Sequence, residues 1–203
     1  LVKYNGAATE VVVPNGVKII GGENSHSGAF KDCIGITSVV LPDSVQEIGD
    51  YSFQGCAGLK SVVIPNSVQK ICHAAFSGCS SLPSITIPNS VQTIGNLAFY
   101  ECSSLTTVTI PNSVQEIGSC AFYGCNSLRS VTIPNSVREI GREVFWGCSS
   151  LTSVSIPSSV KSISEGAFRN CTALHKVKID GEPGMDQAFD KFGVQVVEAS
   201  DAF

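Results

Sequence analysis

The chain has 203 residues, a formal net charge of −4 and a pI of about 5.3. Apolar residues make up 43% of the chain and charged residues 15%, which is enough apolar material for a packed core and excludes disorder throughout. The acidic balance disfavours binding to nucleic acid or to an anionic membrane surface. No apolar run approaches the roughly 18 residues that a membrane-spanning helix needs, so we expect no membrane insertion.

The first ten residues are predicted to form a cap. Val2–Tyr4 and Thr9–Val13 are short segments on either side of Asn5-Gly6, a dipeptide that favours a type I′ turn. The sequence therefore predicts that residues 1–10 form a capping strand or hairpin.

Residues 11–179 are dominated by a repeat with a period of 23 residues. Prolines, phenylalanines and cysteines each recur at this interval, so three independent ladders share one period. Their members are Pro42, Pro65, Pro88, Pro111, Pro134 and Pro157; Phe30, Phe53, Phe76, Phe99, Phe122, Phe145 and Phe168; and Cys33, Cys56, Cys79, Cys102, Cys125, Cys148 and Cys171. A period in the twenties is typical of a solenoid, in which stacked coils bury faces that one coil could not bury alone.

The unit around residues 105–128 shows how one coil is built. Val108 and Ile110 alternate with threonines, which predicts a strand with one buried face. Pro111 lacks an N–H and ends this strand. Val114 and Ile117 are then predicted to point inward from a second short extended segment or a tight helical turn.

The ends of the repeat depart from this pattern. A five-residue insertion near residues 21–28 is expected to form a surface loop. Residues 180–203 are predicted to form a C-terminal cap, with a short helix over Met185–Phe192 and a last strand over Val194–Val197.

The recurring pattern Leu-x-x-Val-x-Ile-Pro-x-Ser-Val-x-x-Ile-Gly-x-x-Ala-Phe-x-x-Cys resembles the BspA-type, or treponemal-type, leucine-rich repeat. Small departures occur at the Leu, Ala and Gly positions, in Ile36, Val144 and Ser164. The resemblance implies a mostly β, right-handed superhelix of about seven to eight 23-residue coils, with a parallel sheet on the concave face. It also implies a secreted or cell-surface protein of a bacterium or protist that adheres to host proteins or to other cells, which is a fold-level analogy.

The cysteines of the ladder are expected to be free. Neighbours in the column lie one strand spacing apart with parallel Cβ vectors, so their Cβ atoms stay about 4.8 Å apart, farther than the roughly 3.8 Å of a disulfide. Cys72 and Cys120 lie outside the column and are also expected to be unpaired. The spacing of Cys120 and Cys125 is not a zinc-binding one, so no metal is expected.

Residues that could perform catalysis are scattered. His26, His73 and His175 are single and fall in different coils, and no sequence order suggests a nucleophile with its base. Phosphate-binding Gly-rich loops are also lacking. We therefore predict that the protein is not an enzyme and needs no cofactor.

Two surface columns are candidate binding sites. The position after the core phenylalanine carries Tyr100, Tyr123 and Trp146 in consecutive coils and Arg169 in the next. Exposed aromatics with an arginine are typical of interface anchors, and flat rings also stack on sugars. The alternative is that the rings only shield one side of the solenoid.

The second column is a row of hydroxyl side chains on the outward face of the main sheet, which includes Thr86, Thr109 and Thr132. It could bind a protein partner. The alternatives are ordinary strand chemistry and a lattice that orders water against ice.

These observations predict a non-catalytic recognition or adhesion module. Its expected ligand is an extracellular-matrix or cell-surface protein, with a glycan as a second ligand class. The alternative is a structural spacer in a larger surface protein that binds no specific ligand through this segment.

Overall fold

The structure, a computed structural model, describes residues 3–21 and 27–180 and the backbone of residues 195–198. The predicted helix at 185–192 and the centre of the insertion therefore lie outside the described residues. The described residues contain no helix, and so none that is long and apolar enough to cross a membrane.

Two kinds of strand alternate along the chain. The longer kind comprises β1 (Glu10–Val12), β3 (Ser38–Val40), β5 (Ser61–Val63), β7 (Ser84–Thr86), β9 (Thr107–Thr109), β11 (Ser130–Thr132), β13 (Ser153–Ile156) and β15 (Lys176–Ile179). The shorter kind comprises β2 (Ile19–Ile20), β4 (Glu47–Ile48), β6 (Lys70–Ile71), β8 (Thr93–Ile94), β10 (Glu116–Ile117), β12 (Glu139–Ile140) and β14 (Ser162–Ile163). The second segment of each coil is thus extended rather than helical.

Strands of the longer kind pair in parallel to form the main sheet. Val131 of β11, for example, lies between Val108 of β9 and Val154 of β13, each one repeat away. The register steps by 23 residues from β3 to β15 and by 28 residues from β1 to β3, across the insertion. A last strand, β16 (Gln195–Glu198), pairs in parallel with β15, close to the predicted final strand. These features confirm the predicted repeat solenoid with a parallel sheet.

The ladder of the main sheet is interrupted between β5 and β7. In neighbouring coils, the residue before the strand donates its N–H to the equivalent carbonyl of the preceding coil, as Thr106 does to Pro83 at 2.9 Å and Lys60 to Thr37 at 2.8 Å. Pro83 has no N–H and cannot make this bond to Lys60. One proline outside the regular ladder therefore explains the interruption.

A spine of stacked phenylalanines runs through the core. Adjacent rings lie 5.0–5.5 Å apart between centroids, with planes within 13° of parallel. The seven members are Phe30, Phe53, Phe76, Phe99, Phe122, Phe145 and Phe168. Stacked pairs of this kind contribute about 0.5–1.5 kcal/mol each beyond the burial of their surface.

The N-terminal end of this spine is covered by Tyr4. Its ring lies 5.3 Å from that of Phe30, and its backbone N–H donates to the carbonyl of Ala29 at 2.7 Å. Residues 3–8 form no strand, and β1 pairs in parallel with β3 instead of turning back in a hairpin. The predicted hairpin is therefore not formed by the described residues, because a single aromatic ring covers the core there.

The core cysteines form a second ladder. Six of them donate S–H to the carbonyl oxygen of the phenylalanine 26 residues earlier, with sulfur–oxygen distances of 3.0–3.3 Å. All nine cysteines are free, as predicted. The thiol is more than the small apolar group that the sequence suggested, because it also supplies a donor to a buried carbonyl.

A serine ladder explains the recurring Pro-x-Ser-Val. The hydroxyl of Ser67 donates to the carbonyl of Val45 at 2.5 Å, and that of Ser90 to the carbonyl of Val68 at 2.6 Å. The serine after each turn thus joins one coil to the one before it.

Replacing one ladder thiol tests this packing. We expect Cys102→Ala to lower the free energy of unfolding by about 1–2 kcal/mol, because it removes a buried side chain and leaves the Phe76 carbonyl without its sulfur donor. The measurement is urea unfolding. Cys120→Ala, at a half-buried position outside the ladder, is the matched control and should change stability by less than about 0.5 kcal/mol.

The thiol ladder should also make stability depend on alkaline pH. Burial raises the pKa of Cys102 from its ordinary value of 9.0 to about 12. Between these two values the unfolded chain loses a proton that the folded chain keeps, so stability is complete below pH 9 and falls above it. The slope is about 1.4 kcal/mol per pH unit for each such thiol. Unfolding measured from pH 7 to 11 should show the stability gap between the natural chain and Cys102→Ala shrinking; a constant gap would contradict the assignment.

Candidate binding surfaces

The predicted aromatic column forms one continuous surface, the aromatic strip, made of Tyr100, Tyr123, Trp146 and Arg169. The rings of Tyr100 and Tyr123 lie 4.9 Å apart at 17°, and those of Tyr123 and Trp146 lie 6.0 Å apart at 11°. The Arg169 guanidinium carbon lies 4.8 Å from the centre of the Trp146 ring, a cation–π contact. The structure therefore brings these four side chains together.

The strip presents ring edges rather than ring faces. Tyr123 stacks on an aromatic neighbour on each side, and Trp146 lies between Tyr123 and Arg169. The three rings are accordingly half-buried, whereas Arg169 is exposed. A partner can reach the edges of the inner rings, but a flat ligand cannot stack on their covered faces.

An open groove of about 500 Å³, the recognition groove, lies beside the strip. Tyr123 and Trp146 contribute aromatic surface to it. Its other lining residues are Gly78, Ser80, Glu101, Ser103, Gly124, Asn126 and Gly147. The groove thus combines ring edges with hydroxyl and amide groups and with one carboxylate.

The glycines of the groove belong to a column in which the backbone is left-handed. The position before each core cysteine has a φ between 54° and 74°, a region that favours glycine and, next to it, asparagine and aspartate. The column reads Asp32, Gly55, Gly78, Glu101, Gly124, Gly147 and Asn170. Glu101, at a φ of 54°, is the member that does not suit this backbone conformation.

The side chain of Glu101 extends along the groove. A Cβ on Gly124 would lie only 3.2 Å from the Glu101 Cγ, so the glutamate passes over the glycine of the next coil. Partial burial and, after it, the nearby Glu101 carboxylate raise the pKa of the Tyr100 phenol. Sequence reasoning missed Glu101, although its place in a column of Gly, Asp and Asn was a visible signal.

The predicted threonine row lies on another face of the coil, on the main sheet. Thr86 pairs in register with Thr109, and Thr109 with Thr132, and all three side chains are exposed. Towards the N-terminus the same position carries exposed valines, so the row becomes apolar there. These valines are Val12, Val40 and Val63.

A larger opening of about 960 Å³ lies among the shorter strands, where β10 is not paired with β12. Glu116 and Glu139 occupy equivalent positions of these two strands, and like charges in adjacent strands oppose pairing. The lining of this opening has no aromatic residue. It therefore lacks the kind of side chain that anchors most interfaces.

Neither cysteine outside the ladder has the properties of a nucleophile. Burial, followed by the carboxylate of Glu47, raises the pKa of Cys72 to about 12. Burial and then Glu143 raise the pKa of Cys120. Both thiols stay protonated at neutral pH, which disfavours attack. Across the part of the chain that the structure describes, no three His, Cys, Asp or Glu side chains are grouped to hold a metal ion.

The family model of the BspA type leucine-rich repeat region matches residues 3–111 and 92–191, in six copies. The chain belongs to the BspA-type leucine-rich repeat family. A leucine-rich repeat protein of T. pallidum is 32% identical, with a TM-score of 0.78 over 97% of this chain and 88% of that one. No curated protein matches the chain.

Two more distant structures share the fold of this BspA-type protein. A leucine-rich repeat protein of Eubacterium ventriosum is 21% identical with a TM-score of 0.55, over 94% of this chain and 66% of that one. The pneumococcal vaccine antigen PcpA is 16% identical with a TM-score of 0.53, over 94% of this chain and 41% of that one. At these identities the likeness is one of fold alone.

The stacked strip should contribute to the stability of the repeat. Because Tyr123→Ala removes two ring contacts and Tyr100→Ala one aromatic stack, we expect losses of about 1–3 kcal/mol for the former and about half as much for the latter. Urea unfolding followed by circular dichroism measures both. Equal losses in the two variants would show that the rings do not act as a stack.

Proposed function

We propose that this protein is a non-catalytic recognition module that binds a protein partner at the aromatic strip and the recognition groove. The observation that carries the proposal is the stacking of Tyr100, Tyr123 and Trp146 beside a polar groove. Membership of the leucine-rich repeat family supports a protein-interaction or scaffold role in general. The strip gives that role a place on the molecule.

The strip is suited to an interface because its side chains are already ordered. Each inner ring is held by its neighbours, so binding immobilises few rotatable bonds, and the entropy lost on association is small. Tyrosine, tryptophan and arginine are also the side chains that most often dominate binding energy. These properties favour a protein partner that packs against ring edges.

A glycan is less well suited to the inner part of the strip. Sugars stack on open ring faces, and both faces of Tyr123 and of Trp146 are covered by neighbours. We therefore place a matrix or cell-surface protein first among ligands and propose that the module works on the outside of the cell. This location is carried over from the family resemblance.

Two other proposals compete with the strip. A partner could bind the threonine row, where Thr86, Thr109 and Thr132 offer exposed hydroxyls in register. The chain could also be a spacer, in which case stacking serves stability only.

A binding experiment separates these proposals. The chain is tested against a panel of extracellular-matrix proteins and a glycan array, beside Tyr123→Leu/Trp146→Leu, which keeps apolar volume in the strip. Thr109→Gln/Thr132→Gln is the matched change on the main sheet. We expect binding to a protein that falls at least tenfold in the strip variant and is unchanged in the sheet variant. Loss only in the sheet variant would move the site to the threonine row, and no binding by the folded chain would favour the spacer.

A further inference from the structure

Glu101 is the one residue of the recognition groove that neither the repeat nor the stability of the fold explains. Its companions in the left-handed column are glycine, aspartate or asparagine, which adopt this backbone conformation readily. Glutamate does not, so its presence at φ 54° lowers stability. The other left-handed column, which contains Leu97 and Cys120, has no glycine, and non-glycine residues are the rule there.

The position of Glu101 makes it the source of charge in the groove. It is the only charged residue among those that line the groove. The two ion pairs found among the described residues, Arg142–Glu143 and Lys178–Asp180, do not include it. The groove therefore contains a carboxylate without a cation of the same chain to neutralise it.

We infer that Glu101 is the counter-charge for a lysine or arginine side chain that a protein partner inserts into the recognition groove. The inference rests on the proposed function of the strip and names the chemistry of its partner. The partner's cationic group forms a charge-assisted hydrogen bond with the Glu101 carboxylate. The aliphatic stem of that side chain packs against the ring edges of Tyr123 and Trp146.

The groove geometry fits this occupant better than an anionic one. An acidic segment would meet the Glu101 carboxylate, and no lining residue could offset the repulsion. Ser103 and Asn126 can bond to the backbone of an extended segment, because both carry groups that donate and accept hydrogen bonds. A short basic peptide is therefore the simplest probe of the site.

The test uses acetyl-tetralysine amide as the probe and the emission of Trp146, the single tryptophan of the chain, as the readout. We expect the natural chain to bind the peptide with a change in emission that salt suppresses. Glu101→Gln should weaken binding at least fivefold, because it keeps the size of the side chain and removes the charge. Glu116→Gln, on the face of the shorter strands, is the matched control and should bind as the natural chain does.

A second variant keeps the test independent of folding. Glu101→Gly should weaken peptide binding to the same extent and at the same time raise the melting temperature, since glycine suits the left-handed backbone. Equal binding by the natural chain and Glu101→Gln would overturn the inference. Equal binding of a tetralysine peptide with acetylated side chains would also overturn it.

The outcome can be told apart from that of the proposed function. If a panel protein binds through the strip but tetralysine fails to bind, the cation site is wrong and strip recognition stands. If tetralysine binds through Glu101 but no panel protein depends on the strip, the site is real and the proposed function loses its support.

Discussion

Parallel pairing at a register of one repeat is the constraint on which the rest of this molecule depends. It places each side chain over its counterpart in the previous coil, so a residue type that recurs every 23 residues becomes a continuous column. Phenylalanines become a stacked spine, cysteines a ladder of sulfur donors and serines a ladder of hydroxyl donors. The same register turns three surface aromatics into a rigid strip without any further structural device.

The regular part of the fold was predictable from the sequence because its columns are repeated many times. Alternation around Val108 and the break at Pro111 predicted the main strand, and the spacing of the cysteines predicted free thiols. Features that occur once were harder to predict. Pro83 interrupts the main sheet through a missing N–H, and Tyr4 covers the end of the spine in place of a hairpin. Neither effect follows from a periodic pattern.

The candidate site was predicted in part for the same reason. The column of Tyr100, Tyr123, Trp146 and Arg169 was visible as a column, and the structure stacks these residues. Sequence reasoning could not show that stacking covers the ring faces, because this depends on the rotamers of neighbouring coils. Glu101 was visible as an exception in a glycine-rich column, but its significance depends on the left-handed backbone that the structure places there.

The most direct test of strip recognition is hydrogen–deuterium exchange of the chain with and without a protein that it binds. The account predicts that slower exchange on binding is confined to the turns that carry Tyr100, Tyr123 and Trp146 and to the adjoining groove around Glu101 and Asn126. Protection centred on the exposed face of β7, β9 and β11, with none at these turns, would contradict it.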